Sequence, residues 1–257
     1  MRKANISFFV ICVVFSVTFA QTSNPTARKF DEFGDILASD LIARLDNFAV
    51  TLSNEPSSKA FLMVYRTRRD LPGLSSRYAH RMRSYLVDTR GIPSERIIVV
   101  DGGVAPCLWQ ELWVVPAGSA PKPREDAYDN YLRPSPYKFD EHYYQTGKAD
   151  PDEISYWRAA PENLIGYLEF FGETLLKNRK LIGYLVAFRD AATDHPNVTK
   201  RILQTERNFL IKEFRINPSR IKIIDGGPGE YRAVELWIAE AGDRPIFTSY
   251  RVVRFRE

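Results

Sequence analysis

Asp70 and Arg77 stand seven residues apart, and so do Asp194 and Arg201. In each pair the carboxylate precedes a stretch of helical periodicity and the guanidinium falls in its first turn. A guanidinium grips a carboxylate with two parallel donors, so the combination suits a zwitterionic ligand. The same residues would also serve as a loop-to-helix ion pair that orders the turn, contributing about 0–1 kcal/mol where exposed. Arg66 and Arg189 each close an apolar run just before these pairs. They either extend a ligand site at a sheet edge or mark a solvated strand end. Asp101-Gly102-Gly103 and Asp225-Gly226-Gly227 offer an anion-binding turn or, more simply, a turn that needs positive φ.

These words come in pairs because the chain carries one design twice, about 124 positions apart. AFLMVYRT (60–67), RGIPSERIIVVDGG (90–103) and QELWVVPAG (110–118) return as GYLVAFRD (183–190), FRINPSRIKIIDGG (214–227) and VELWIAEAG (234–242). In the first copy, apolar spacing predicts a helix over 38–53, with Leu41, Ile42, Leu45, Phe48, Ala49 and Leu52 on one face and Ser39 as N-cap. Ala60–Tyr65 is apolar on both faces and reads as a buried strand. A second helix is predicted over 75–90, ending at Gly91 in the left-handed C′ position before Pro93. Strands over 97–100 and 111–115 follow, joined by a loop short enough for a hairpin. The second copy predicts helices over 162–177 and 198–213 and a strand over 181–188. Arg215 stands where the first copy has Gly91, and a left-handed conformation there costs a residue with a side chain about 1 kcal/mol. Glu111 and Glu235 are placed to pair with Arg96 and Arg220 across strands, and the tryptophans beside them to pack the core.

Residues 1–20 read as a secretory signal peptide: Arg2 and Lys3, an apolar run from Ile6 to Val17, and a small-residue junction at Thr18-Phe19-Ala20. Its removal takes two basic residues and no acidic one, so the net charge of +4 becomes +2. That is too small to call for nucleic acid or an anionic membrane as partner, and no later segment is apolar enough to span a bilayer. Cys12 leaves with the signal, and Cys107 remains as a buried small hydrophobe or, alternatively, an intermolecular disulfide. His80, His142 and His195 do not recur between copies or show metal-ligand spacing, and no GxSxG, HExxH or P-loop word is present. The chain therefore reads as non-catalytic, with no cofactor. The stretch 124–160, with six tyrosines and three prolines, reads as an ordered linker or lid, and Pro245–Phe255 as a possible added strand.

The motifs FDEFGDI (30–36), Leu45-x-x-x-Ala49-x-x-Leu52, Pro56, Asp70-x-x-Gly73, LSSRYAHRMRSYL (74–86) and GIPSERI (91–97) resemble the OmpA-like C-terminal domain of bacterial envelope proteins. Phe139-Asp140-Glu141 echoes Phe30-Asp31-Glu32 in the second copy. The chain is also similar to a group of secreted proteins of unknown role with an FDE…LDNFA…DGG…ELW pattern. The resemblance implies an α+β fold of two tandem β-α-β-α-β modules, with helices on one face of a mixed sheet. The modules would cover 30–123 and 161–257, with 124–160 between them. It further implies a non-catalytic periplasmic or secreted module binding peptidoglycan or another envelope protein. In that family an Asp and an Arg hold the diaminopimelate of peptidoglycan. The Asp matches Asp70; Tyr78 stands at the Arg position, with Arg77 one residue earlier and about 100° round the helix. A role limited to protein interaction, through tyrosines 128, 131, 137, 143 and 144, is the alternative.

Overall fold

The computed structural model of the protein describes residues 26–128, 133–144 and 164–247. The signal-peptide reading of 1–20 lies outside them. Module one runs β1 (Arg28–Phe33), α1 (Ala38–Asn54), β2 (Lys59–Arg66), α2 (Leu74–Ser84), β3 (Ile97–Val104) and β4 (Trp109–Val115). Module two repeats the order as β5 (Tyr137–Tyr143), α3 (Leu164–Lys177), β6 (Ile182–Asp190), α4 (Val198–Phe214), β7 (Ile221–Gly229) and β8 (Ala233–Ala239). Each makes a four-stranded mixed sheet, β1-β4-β2-β3 and β5-β8-β6-β7, in which only the β2–β3 and β6–β7 pairs are parallel. Among the described residues no helix is long and apolar enough to cross a membrane.

The apolar patterning explains the layers. Ala60, Leu62 and Val64 of β2 turn toward the helices, where Leu45, Phe48 and Leu52 of α1, Met82 of α2 and Leu86 just beyond it meet them. Phe61, Met63 and Tyr65 turn to the opposite face and pack with Trp113 and Val115. That face is not left open. The chain after β4 folds back across it: Arg124 donates its N–H to the Tyr65 hydroxyl at 3.2 Å, and Tyr128 bridges to Val104. In module two Tyr184 donates its hydroxyl to the Asp243 carbonyl at 2.9 Å and Phe188 meets Phe247 edge-on. The α1 stripe repeats in α3 as Leu41/Leu164, Leu45/Leu168, Phe48/Phe171 and Leu52/Leu175, all buried. The expected Ile42 and Ile165 fall at the rim instead, at 43% and 47% exposure.

Several expectations change. The third and fourth strands form no hairpin, because β2 lies between them and pairs with both, leaving β3 and β7 at sheet edges. The Asp-Gly-Gly words end no strand. The strand continues, with a bulge at Gly102 and Gly226 and positive φ at Gly103 and Gly227. A Cβ on Gly102 or Gly226 would lie 2.5 Å from the ring of Tyr65 or Phe188, so the bulge makes room for a buried aromatic. Ser39 is not the N-cap; Leu37 precedes the helix and no side chain caps it. The second helix ends early and closes in a wider π turn, Tyr85–Thr89. Gly91 and Arg215 both adopt the left-handed conformation, at φ 68° and 50°. Cys107 is exposed rather than buried, since the β3–β4 crossover carries it away from the core. The segment 124–160 is not simply a linker: its part Tyr137–Tyr143 is an edge strand of the second sheet. Residues 245–247 form no strand, and the rest of the 245–255 prediction lies outside the described residues.

The modules share one continuous helix-side core. Helix α2 of module one lies against α3 of module two. The Ser76 hydroxyl donates to the Gly166 carbonyl, and a Cβ on Gly166 would come within 2.7 Å of the His80 side chain. Arg83 reaches Glu169 at 3.3 Å, and the Gly73 N–H donates to the Phe139 carbonyl at 2.9 Å.

Candidate functional site

The two predicted aspartate–arginine pairs are not formed. Asp70 turns back on its own loop and accepts from the Thr67 N–H at 2.8 Å and the Thr67 hydroxyl at 2.7 Å. Arg77 reaches across the module boundary to Asp140, at 3.6 Å, and stacks over the Tyr167 ring at 5.2 Å. Asp194 is buried and held by Arg232, whose Nε lies at 2.8 Å, while it also accepts the Asp190 N–H at 2.8 Å. Arg201 is exposed and makes no ion pair among the described residues. The physical reason is one of reach. Each aspartate sits where nearby N–H groups close a loop, and the arginine one helical turn on faces elsewhere.

Arg66 behaves differently. The residue is 9% exposed, yet among the described residues Nε and Nη1 face no acceptor, and Nη2 approaches the Asp101 carboxylate only to 3.9 Å. Asp101 is itself committed: its Oδ1 accepts from the Ser75 hydroxyl at 3.1 Å and the Gly103 N–H at 3.0 Å. A buried cation is normally fully paired, so the incomplete set around Arg66 stands out. Burial pushes the Tyr137 phenol up, while the Arg133 and Arg66 guanidiniums pull it the other way, which places both cations near that ring. Arg133 donates to the Asp70 carbonyl, and Arg68 stacks over Tyr128 at 5.7 Å. The corner where β2 ends is thus rich in guanidinium groups drawn from both sides of the module boundary. Arg189, the counterpart in module two, is half-buried.

Sequence reading missed a buried ionic cluster in module two. His142 Nε2 lies 2.8 Å from Glu206 Oε1, and the Tyr144 hydroxyl donates to the same oxygen. His142 and Glu206 are 0% and 1% exposed. On the same strand Asp140 is also fully buried. Its Oδ1 accepts the Glu141 N–H at 2.9 Å, while among the described residues Oδ2 has only the distant Arg77. Desolvation raises the Asp140 pKa from 3.8 to about 6, against the opposing pull of Arg77. A charged residue alternating with apolar ones along an edge strand was the available signal.

The remaining repeated residues are structural. Lys29 bridges Glu32 at 2.6 Å and Glu111 at 2.7 Å, and Trp113 donates to Glu111 at 2.9 Å. Lys138, Glu141, Glu235 and Trp237 repeat this arrangement. Arg96 and Arg220 therefore do not pair with Glu111 and Glu235. They donate to helix-end carbonyls, Arg96 to Leu52, Glu55 and Ser58, and Arg220 to Leu175, Asn178 and Leu181. Among the described residues no group of acidic, histidine or cysteine side chains is arranged to hold a metal ion. No protein-family model matches the chain, and no curated protein matches it.

Proposed function

We propose that this is a non-catalytic secreted or periplasmic envelope module that binds cell-wall material or an envelope protein by its carboxylate groups. The reading extends the resemblance to OmpA-like domains, with the site moved from the expected aspartate–arginine pairs to the corner around Arg66. One observation carries it: a largely buried arginine with two guanidinium donors, Nε and Nη1, that face no acceptor among the described residues. A ligand carboxylate would replace the loose contact with Asp101 and supply the missing acceptor, with Arg133 adding a second positive charge. Peptidoglycan stems are rich in such carboxylates. Co-sedimentation of the purified protein with peptidoglycan sacculi at low salt tests this. Pelleting that falls in Arg66→Gln, and less in Arg189→Gln, supports the reading; no pelleting of the unaltered protein removes it. Asp194→Ala is unsuitable as a site probe, because it removes a carboxylate that holds the buried Arg232 and so disturbs the core.

A specific feature favours a second reading, in which the tyrosine-rich stretch is a protein-interaction surface. Tyr143 and Tyr231 are 51% and 56% exposed and meet edge-on at 6.2 Å, and Tyr128 is 61% exposed. Exposed aromatic pairs suit the centre of an interface. Tyr131 lies outside the described residues, Tyr137 is half-buried and Tyr144 is buried. Under this reading Tyr143→Ser with Tyr231→Ser abolishes binding of an envelope protein and leaves pelleting with sacculi unchanged.

A further inference from the structure

Asp31 and Asp140 occupy the same place in the two modules, each just after a bulge in the edge strand and opposite Leu112 and Leu236. Asp31 is served by its own helix: Arg44 of α1 holds it at 2.6 Å. The matching position of α3 is Tyr167, so among the described residues module two presents no arginine of its own to Asp140. The partner comes from module one instead. Arg77 of α2 lies over Tyr167 and approaches Asp140 only to 3.6 Å, beyond hydrogen-bond reach. The carboxylate is pressed against the backbone of the other module, where a Cβ on Gly73 would sit 2.2 Å from Oδ2. Gly73 is therefore required by the module boundary itself.

We propose that the boundary between the two modules is a pH-responsive joint whose tightness is set by protonation of the Asp140 carboxyl. As a carboxylate, Asp140 is a buried charge with one long ion pair, a costly arrangement. As a neutral acid it removes that cost and gains a donor. The groups around it do not reverse this. From α2 come Arg77 and, further along, His80 and Arg83, both directed at Glu169 of α3. From α3 comes Tyr167, packed on His142 at 5.0 Å. From α4 comes Glu206, taken up by His142 of β5 and by Tyr144 just after it. On β5, Glu141 is bound to Lys138.

The sign follows from the raised pKa of about 6 against an ordinary 3.8. The folded state binds this proton more tightly than the unfolded state. The contribution of Asp140 is most favourable below about pH 4 and declines as pH rises through the window from about 4 to 6. A difference of roughly two units corresponds to about a hundredfold in the closed-to-open ratio of the joint.

Two readouts test this on the purified protein. Thermal midpoints of the unaltered protein and Asp140→Asn should lie close together near pH 4 and diverge by pH 7, with the unaltered protein falling relative to the variant. Exchange of the Gly73 amide, which bonds across the boundary to Phe139, should accelerate over the same window after correction for intrinsic rates, and should not do so in Asp140→Asn. Arg77→Gln removes the guanidinium that faces Asp140 across the boundary and should move the window to higher pH, which keeps the test sound if the asparagine variant folds poorly. Parallel profiles for the unaltered protein and both variants would overturn the proposal. So would a loss of midpoint in Asp140→Asn that is larger at pH 7 than at pH 4, since the ionised form would then be the stabilising one.

Discussion

Module one fills its helix-side core with Phe33, Met82 and Leu108. At the matching places module two carries His142, Glu206 and Arg232, all buried. The register fixes the first match, because Phe33 lies opposite Gln110 and His142 opposite Val234. The same backbone thus accepts an apolar set or an ionic set. The ionic set survives because its charges arrive with partners: His142 and Tyr144 for Glu206, and Asp194 for Arg232. Where one partner was lost, at Tyr167, module one supplies Arg77 instead. The difference teaches that the second module is not self-sufficient. One of its buried charges, Asp140, takes its cation from across the boundary, so the repeats form a joined pair rather than beads on a string.

The largest expected effect breaks that ionic set. Glu206→Leu removes the carboxylate oxygen that His142 and Tyr144 share inside the core and should destabilise the protein by about 3–5 kcal/mol in denaturant unfolding. The parallel change Met82→Leu in module one replaces like with like and should cost less than about 1.5 kcal/mol. Installing the module-one residues together, His142→Phe with Glu206→Met, should recover most of the single-variant loss. If Glu206→Leu costs no more than Met82→Leu, the contrast between the modules has no energetic basis.

A smaller effect, equal in the two modules, sharpens the comparison from the other side. Arg96 and Arg220 each gather three carbonyls around the end of the first helix of their module. Helix ends leave carbonyls without intrahelical partners, and a cation there also suits the helix dipole. Arg96→Ala and Arg220→Ala should each lower stability by about 1.5–3 kcal/mol. Similar losses would show that this device belongs to the fold itself. A loss confined to one module would place it with the features that distinguish them.

The repeat made the order of elements legible, because buried strands and helical stripes follow from the period of apolar residues alone. Leu45, Phe48 and Leu52 were visible in this way, as was the left-handed turn at Gly91. Strand pairing was not legible: adjacency in sequence suggested a β3–β4 hairpin, while the apolar surface of β2 on both faces required it to lie between them. The Phe-Asp-Glu words hid edge strands, since a bulge at Phe30 and Phe139 breaks the alternation that marks a strand. Of the candidate site, Arg66 was visible as the charge closing an apolar run. The partners of Arg77 and Asp194 were not, because Asp140 and Arg232 lie 63 and 38 residues away, the first brought close by the packing of the modules and the second by the fold of module two itself. For the same reason the constant spacing of seven residues misled: it reflected the repeat and not a pairing.

The smallest effect concerns the turn that follows the second helix of each module. Gly91 and Arg215 share a left-handed backbone, and a Cβ at Gly91 would meet nothing within 4 Å. Any penalty for a side chain there is therefore conformational and not steric crowding from neighbours. Gly91→Ala should cost about 1 kcal/mol, and Arg215→Gly should gain a similar or smaller amount, since glycine adopts the conformation freely but also loosens the unfolded chain. The two substitutions make each module resemble the other at this turn, so their effects should be opposite in sign. A destabilising Arg215→Gly would mean that the arginine side chain contributes a contact worth more than the strain of its backbone, and the turn would then join His142, Glu206 and Arg232 among the features peculiar to module two.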